Sequence, residues 1–262
     1  MRISLIISTY NRPDALCLCL KSVLKQTRMP DEVIVADDGS SEQTRHLIER
    51  MDKSFSCGLK HAWHEDKGFR LAAVRNLAVR NYCSGDYVIF IDGDMILDSR
   101  FIANHERLSE NGYYVVGSRV KLTQLKTNYL LKRQRIDVGI FHRGEKNRFN
   151  AVYLPWLSFV TRHLYFYDKT HGRGANMAMF YHDLIKVNGF DEDFKSYGRE
   201  DTDIFWRLNN AGLKQKVAKF QAIAYHLYHT IGKNDKHNDD LMTKSEIGHR
   251  VTCINGLKKL KE

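Results

Sequence analysis

Asp92-Gly93-Asp94 ends an apolar run, Tyr87 to Ile91 (YVIFI), that reads as a β-strand. Alternate residues of an extended chain point the same way, so both carboxylates can face one site. Two close carboxylates repel unless a proton or a cation stands between them, and hard oxygen ligands suit Mg2+ or Mn2+. An isolated Asp-Gly-Asp serves as a surface turn about as often as it holds a metal. The EF-hand alternative fails, because nothing after Asp94 continues that loop pattern. His226-Leu227-Tyr228-His229 closes a second strand-like run and offers a nitrogen ligand for Mn2+. Zinc would want cysteines or further histidines at matching spacing, and the chain has none so placed. A third group, Glu200, Asp201 and Asp203, opens a helical run. The helix dipole favours acids in a first turn, so a cap explains any one of them. Three carboxylates within four positions are less well explained by capping, and their mutual repulsion can raise one pKa and supply a general base.

Such groups need a scaffold that gathers them. Ile3 to Ser8 is a β-rich run followed by Tyr10-Asn11-Arg12-Pro13, a turn with proline placed to open a helix, where Leu16, Leu20, Val23 and Leu24 recur at helical spacing. Glu32 to Ala36 is a second strand ending in Asp37-Asp38-Gly39-Ser40-Ser41, with Ser41 as N-cap of a helix through Glu49. Leu59 to His64 reads as a third strand, 71 to 82 as a helix, Tyr87 to Ile91 as the fourth strand, Ser99 to Ser109 as a helix and Tyr113 to Gly117 as a strand. This alternation, with continuous apolar strands, means an α/β fold: a mostly parallel sheet covered by helices on both faces. Ligands of such sheets bind beyond the carboxyl ends of the strands, where Thr9-Tyr10-Asn11, Asp37-Asp38 and Asp92-Gly93-Asp94 would converge. Asp37-Asp38 is either an ordinary turn or a carboxylate able to accept the imide N–H of a uracil. No G-x-G-x-x-G follows the first strand and no G-x-x-x-x-G-K-[ST] occurs, so carboxylates stand where glycine-lined amides would cradle phosphate.

Between 119 and 170 periodicity weakens, and loops with short helices are expected. GRGANMAMF then leads into a short strand, DLIKVNGF reads as a helix closed by Gly189, Asp201 to Ala211 as a helix before Gly212, and Phe220 to Leu227 as a strand. A polar, basic tail follows from Gly232.

The 262 residues, 43% apolar and 27% charged, suffice for one large domain and exclude intrinsic disorder. No run approaches the roughly 18 apolar residues of a membrane-spanning helix, and MRISLIIS is short for a signal peptide and lacks a cleavage site, so a cytoplasmic location is expected. Five cysteines, an odd number, fit reduced thiols. The net charge of +10 calls for an anionic partner: nucleic acid, a membrane surface, or phosphorylated or acidic molecules. It concentrates at 119 to 148, where Arg119, Lys121, Lys126, Lys132, Arg133, Arg135, Arg143, Lys146 and Arg148 face only Asp137 and Glu145. A solvated basic face and a binding surface both account for that stretch.

Taken together, ISTYNRPDALCLCLKSVLKQT, VIVADDGSSEQT, KGFRLAAVRNLAV and YVIFIDGDM resemble the donor half of family 2 inverting glycosyltransferases with the GT-A fold. GRGANMAMF, NGFDEDF and GREDTDIFWRL resemble the acceptor half shared with β-1,4-galactosyltransferases, chondroitin polymerases and polypeptide N-acetylgalactosaminyltransferases. The blocks run in order from residue 2 to about 230. The resemblance implies a single Rossmann-like domain with a smaller acceptor-side subregion: a nucleotide-sugar half at 1–118, an acceptor-binding and catalytic half at 119–230, and a basic tail at 231–262. It implies that Thr9, Tyr10 and Arg12 sit at the nucleotide, that Asp38 holds uracil and that Arg75 positions the nucleotide. Asp92 and Asp94 match the Asp-x-Asp that holds ribose and metal-bridged diphosphate; Gly174, Ala175 and Asn176 fall near the donor sugar. Asp201, beside Glu200, matches the catalytic base, and His229 or His226 the third ligand of Mn2+ or Mg2+. The expected partners are a UDP-sugar and a saccharide or glycolipid acceptor, with peripheral contact at the inner face of the cytoplasmic membrane and no nucleic acid. The product would be a polysaccharide or lipopolysaccharide. The Gln-x-x-Arg-Trp motif of membrane-embedded processive synthases is absent, which argues against that kind of polymerase. Two alternatives remain at this level: a basic nucleic-acid-binding protein, and a nucleotidyltransferase on a similar fold.

Overall fold

A computed structural model of the chain describes residues 1–138, 147–156, 174–230, 232 and 235–261. Four strands, β1 (Ile3–Thr9), β2 (Glu32–Asp37), β3 (Leu59–Trp63) and β4 (Tyr87–Asp92), pair in parallel in the order β3-β2-β1-β4. Between them run α1 (Pro13–Val23), α2 (Glu42–Asp52) and α3 (Leu71–Tyr82). The apolar strands are buried on both faces because their side chains alternate between two cores. Ile3, Leu5, Ile7, Val33, Val35, Ile89 and Ile91 pack with Leu16 and Leu20 of α1 and Leu47 of α2. Ile6, Ile34, Val88 and Phe90 pack on the opposite face with Ala72, Val74 and Ala78 of α3.

The chain continues through β5 (Met95–Leu97), α4 (Phe101–Leu108), β6 (Tyr113–Val116), β7 (Val120–Lys121), α5 (Gln124–Arg133) and a 3₁₀ turn at Arg148–Ala151. Then come β8 (Asn176–Phe180), α6 (Tyr181–Lys186), α7 (Glu200–Asn210), β9 (Lys214–Val217), β10 (Ala224–His226) and α8 (Lys236–Ile247). Among the described residues the main sheet is seven-stranded, β3-β2-β1-β4-β8-β6-β9. β8 is the antiparallel insertion, so the sheet is mostly parallel, as expected. α7 covers the second core through Ile204, Phe205 and Leu208.

Register brings the site together. Thr9 pairs with Asp37 and Ser8 with Asp92, which sets the carboxyl ends of β1, β2 and β4 on one edge. Because β8 runs antiparallel to β4, with Asn176 opposite Ile91, its beginning lies at that same edge and brings Gly174 there. A second, three-stranded sheet, β5-β10-β7, aligns His226 with Met95, and the Leu227 amide donates to the Asp94 carbonyl at 3.0 Å.

Three local expectations change. The run Phe220 to Leu227 is a strand only at Ala224–His226, because Phe220 adopts φ of 64° and its carbonyl accepts from Leu154 N. Ser41 does occupy the N-cap of α2, but its side chain caps nothing; its amide donates to Asn11 Oδ1 at 2.8 Å. The polar stretch after Gly232 contains α8, which packs on α7. Among the described residues no helix is long and apolar enough to cross a membrane, and all five cysteines are free. Arg143 and Lys146 of the basic stretch lie outside the described residues.

Candidate active site

The carboxyl edge of the sheet opens into a cavity of about 520 Å3, within the usual size of a small-ligand site. Thr9, Tyr10, Arg12, Asp38, Arg75, Asp92, Asp94, Gly174, Glu200, Asp201 and His229 all line it. One wall comes from the strand ends and the opposite wall from the start of α7.

Asp94 is the centre of the first wall. His226 Nε2 lies 3.4 Å from its Oδ1 and His229 Nε2 3.4 Å from its Oδ2. Ligand atoms of these three residues all lie within 4.8 Å of one another. Asp94 Oδ1, the oxygen beside His226, is buried without a hydrogen-bond partner, an unsatisfied polar atom open to a ligand. Burial, with Arg119 nearby, pushes His226 down to about 3, so the ring is neutral and its lone pair free for a metal. One carboxylate and two imidazoles form a mixed O/N donor set able to hold a divalent cation. Arg12 Nη1 meets Asp94 Oδ2 at 2.6 Å, holding it from the other side. Burial pushes Asp92 and Asp94 up, against the pull of Arg75 on Asp92 and of Arg12 on Asp94. Both carboxylates thus sit where added positive charge is favourable.

Arg75, only 1% exposed, is held beneath the site by Ser8 Oγ (3.1 Å) and Asp92 Oδ1 (3.2 Å). Its Nη1 and the Nε of Arg119 are buried without hydrogen-bond partners. Two guanidinium groups with spare donors beside a metal-type cluster suit a diphosphate, whose oxygens accept from such forks. In the sequence Arg119 is one cation of the 119 to 148 stretch, a solvated face or a binding surface, with no separate role. It lines the cavity and comes within 4.0 Å of Asp92. Its position just beyond β6, whose carboxyl end lies at the same edge, is the signal that could have found it. Asp38 is 5% exposed; its Oδ1 meets His64 Nε2 at 2.6 Å and its Oδ2 accepts from Arg70 N at 2.9 Å. A carboxylate has lone pairs left after two such bonds.

On the second wall the acidic trio divides. Asp203 turns into the core, fully buried, and accepts from Arg207 Nε at 2.8 Å, Ser245 Oγ at 2.8 Å and Arg250 Nη2 at 3.2 Å. Glu200 and Asp201 face the cavity. Asp201 Oδ2 accepts from Gly174 N at 2.7 Å, which couples it to the start of β8. A Cβ at Gly174 would come within 2.9 Å of Arg75 Nη1 and 3.1 Å of Asp201 Cβ, so a larger residue would press on both. Burial and then the Asp201 charge push Glu200 up to about 8, and its Oε2 has no hydrogen-bond partner.

Asn176 is not among the residues that line the cavity and is 1% exposed. Its Oδ1 meets His105 Nε2 at 2.9 Å, and its Nδ2 donates to Ser118 O at 3.1 Å and Ala222 O at 3.2 Å. Both polar atoms of its carboxamide are engaged, tying α4, the chain after β6 and the segment before β10 together.

The raised Glu200 carries a testable consequence. The folded state keeps a proton that the unfolded chain releases above its ordinary 4.5, so folding binds protons and stability falls as pH rises from there toward about 8. Melting curves of the unliganded protein should therefore drop across that window, and Glu200→Gln should flatten the drop and melt higher at about pH 8.5. Equal slopes for the two proteins would show that Glu200 titrates normally.

Residues 4–188 match the model of glycosyl transferase family 2, and residues 158–230 match the model described as the N-terminal domain of galactosyltransferase. A validoxylamine A glucosyltransferase of Streptomyces hygroscopicus subsp. limoneus is 27% identical over 83% of this chain and 50% of its own length. The chondroitin synthase of Pasteurella multocida (strain Pm70) is 28% identical over 86% of this chain and 24% of its own. The chain thus spans half or less of the length of these curated relatives. Among solved structures, S. aureus TarS 1–349 in complex with UDP superposes with a TM-score of 0.65 at 16% identity, over 95% of this chain and 65% of that one. GalNAc-T7 with UDP, GalNAc and Mn2+ gives 0.63 at 14% identity, over 89% and 45%. These likenesses establish the GT-A fold. The match over residues 4–188 covers most of the chain, which belongs to glycosyl transferase family 2.

Proposed function

We propose that the protein is an inverting glycosyltransferase that moves a hexose or N-acetylhexosamine from a UDP-sugar to a hydroxyl of a saccharide or glycolipid acceptor. The observation that carries this reading is the meeting, in one cavity, of Asp94 and His229 with His226 beside them, the spare donors of Arg75 and Arg119, and the Glu200–Asp201 pair. Asp94 with His226 and His229 would hold Mn2+ or Mg2+, which when bound supplies Lewis-acid neutralisation of charge on the diphosphate. Arg75 and Arg119 orient the diphosphate and stabilise the charge that gathers there as the sugar departs. Thr9, Tyr10, Arg12 and Asp38 form the nucleotide end, and Gly174 lets the chain approach the donor sugar. Asp201 accepts the proton of the acceptor hydroxyl. That oxygen forms its bond to the anomeric carbon while the bond to the β-phosphate oxygen breaks and its electron pair leaves with UDP. One displacement inverts the anomeric centre, so an α-linked donor yields a β-linked product. Residues 1–118 then supply most of the donor site, and 119–230 serve acceptor and catalysis while adding Arg119, Gly174, His226 and His229 to the donor side. The product is a polysaccharide or lipopolysaccharide built at the cytoplasmic side. Calorimetry with UDP, with and without Mn2+ or Mg2+, tests the donor assignment: metal-dependent UDP binding supports it, and no UDP binding under either condition overturns it.

Lys132, Arg133 and Arg135 are exposed at the end of α5 and just after it. They are assigned to an anionic acceptor or the inner-membrane surface where such acceptors reside, an attraction that salt screens. Neutralising all three should raise the acceptor KM several-fold, with donor affinity unchanged and vesicle binding weakened. An unaltered KM and unaltered binding to vesicles containing anionic lipid would return the segment to a solvated face.

A further inference from the structure

α8 lies outside the cavity, yet its polar side chains reach the segment that leads into the acid pair. Asn238 is fully buried, and its Nδ2 donates to the carbonyls of Ser196 at 2.8 Å and Gly198 at 2.7 Å. Next to it, Asp239 Oδ1 accepts from Arg199 Nε at 2.6 Å. The backbone so gripped is unusual: Gly198 and Arg199 both have positive φ, 102° and 77°. The left-handed region is natural for glycine but unfavourable for arginine, and it persists only where surrounding structure enforces it. Arg199 is the N-cap of α7, and its carbonyl accepts from Asp203 N at 2.8 Å, so its conformation sets where the first turn of the helix begins. Glu200 and Asp201 are the next two residues. Farther along α8, Ser245 bonds Asp203, and Arg250 just beyond the helix reaches Asp203 and Asp191. α8 is therefore fastened both to the loop before α7 and to the inward face of its first turn.

We propose that Asn238, supported by Asp239, is a positioning residue that holds the 196–199 loop so that Glu200 and Asp201 face the cavity. The proposal rests on the reading of Asp201 as the base. Two short hydrogen bonds from one buried carboxamide oppose relaxation of Arg199 toward ordinary φ. Such relaxation would rotate the helix start and swing both carboxylates. A displacement of about 1 Å at reacting groups can lower rate roughly a hundredfold, whereas the nucleotide and metal residues, on other elements, keep their places.

Asn238→Ala should lower kcat about ten- to a hundredfold while leaving metal-dependent UDP affinity and donor KM within about twofold of wild type. Amide hydrogen exchange over residues 196–203 should quicken roughly tenfold without comparable change in β1 or β4. Leu47→Ala, a cavity mutation on α2 remote from the loop, is the control: it should lose at least as much thermal stability with near-normal kcat and loop exchange. Asp239→Ala, at a half-exposed site, should show the Asn238 pattern in weaker form, and it decides the matter if Asn238→Ala does not fold. Unchanged exchange in whichever variant decides, or a loss of kcat that Leu47→Ala matches at equal stability loss, overturns the proposal. If wild-type protein turns over no nucleotide sugar, the catalytic reading fails, and the exchange result alone then shows whether Asn238 holds the loop.

Discussion

Asp201→Asn is expected to slow turnover by roughly two to four powers of ten while UDP affinity barely moves. Asn keeps the shape and one acceptor oxygen but cannot take a proton from an attacking hydroxyl. Asp201 lies on the wall opposite the metal-type cluster, with one oxygen fixed by Gly174 N and the other accepting from Thr202 N at 2.8 Å, so the nucleotide end is left intact. A residue that merely caps α7 would behave differently, because Asn caps about as well as Asp and turnover would stay near normal with a small loss of melting temperature. Glu200 supplies the second comparison. Its raised pKa keeps it protonated near neutrality, where it accepts no proton. Glu200→Gln is therefore expected to cost less turnover than Asp201→Asn. The reverse ranking would transfer the base to Glu200, and turnover of Asp201→Asn within a few-fold of wild type would remove Asp201 from the chemistry.

Asp94→Ala should abolish the gain in UDP affinity that Mn2+ confers, a loss of at least about a hundredfold at saturating metal. The variant takes away the carboxylate between the two imidazoles and releases Arg12 from its 2.6 Å contact. Without metal, UDP affinity should not fall, because a negative charge near the diphosphate has gone and an arginine has been freed. Calorimetry of both proteins with and without Mn2+ reads this directly. A variant whose Mn2+-dependent affinity matches wild type would show that Asp94 is not a ligand.

Much of this arrangement is legible from residue order. The alternation of strands and helices up to residue 118 places Thr9, Asp37 and Asp92 at strand ends, and a parallel sheet puts such ends on one edge whatever the details of packing. That a histidine of 226–229 could join Asp94 is legible as chemistry, since the residue types suit a metal, but His226 and His229 stay alternatives until β10 is seen to lie beside β5 and both rings come near Asp94. What escapes the sequence depends on side-chain direction. Asp201 and Asp203 are two residues apart on one helix, and only the packing of α7 decides that one enters the cavity and the other the core. Asn176 belongs to a block associated with the donor sugar, but its carboxamide is consumed by His105, Ser118 and Ala222. Arg119 reads as one of nine neighbouring cations until β6 is placed in the sheet. α8 escapes for a different reason: its buried stripe is Asn238, Met242 and Ser245. That spacing is helical, but two of the three residues are polar and bury themselves by hydrogen bonding, so hydrophobic periodicity does not register them.

The measurement that bears most directly on the central claim is product formation by the wild-type protein over a panel of UDP-sugars, with Mn2+, with Mg2+ and with chelator. Release of UDP from at least one donor, dependent on metal and lost in Asp201→Asn, is the predicted result. Release of pyrophosphate instead would make the protein a nucleotidyltransferase. Absence of any nucleotide product, alongside DNA binding that falls steeply with salt, would contradict the account and make the basic surface its working part.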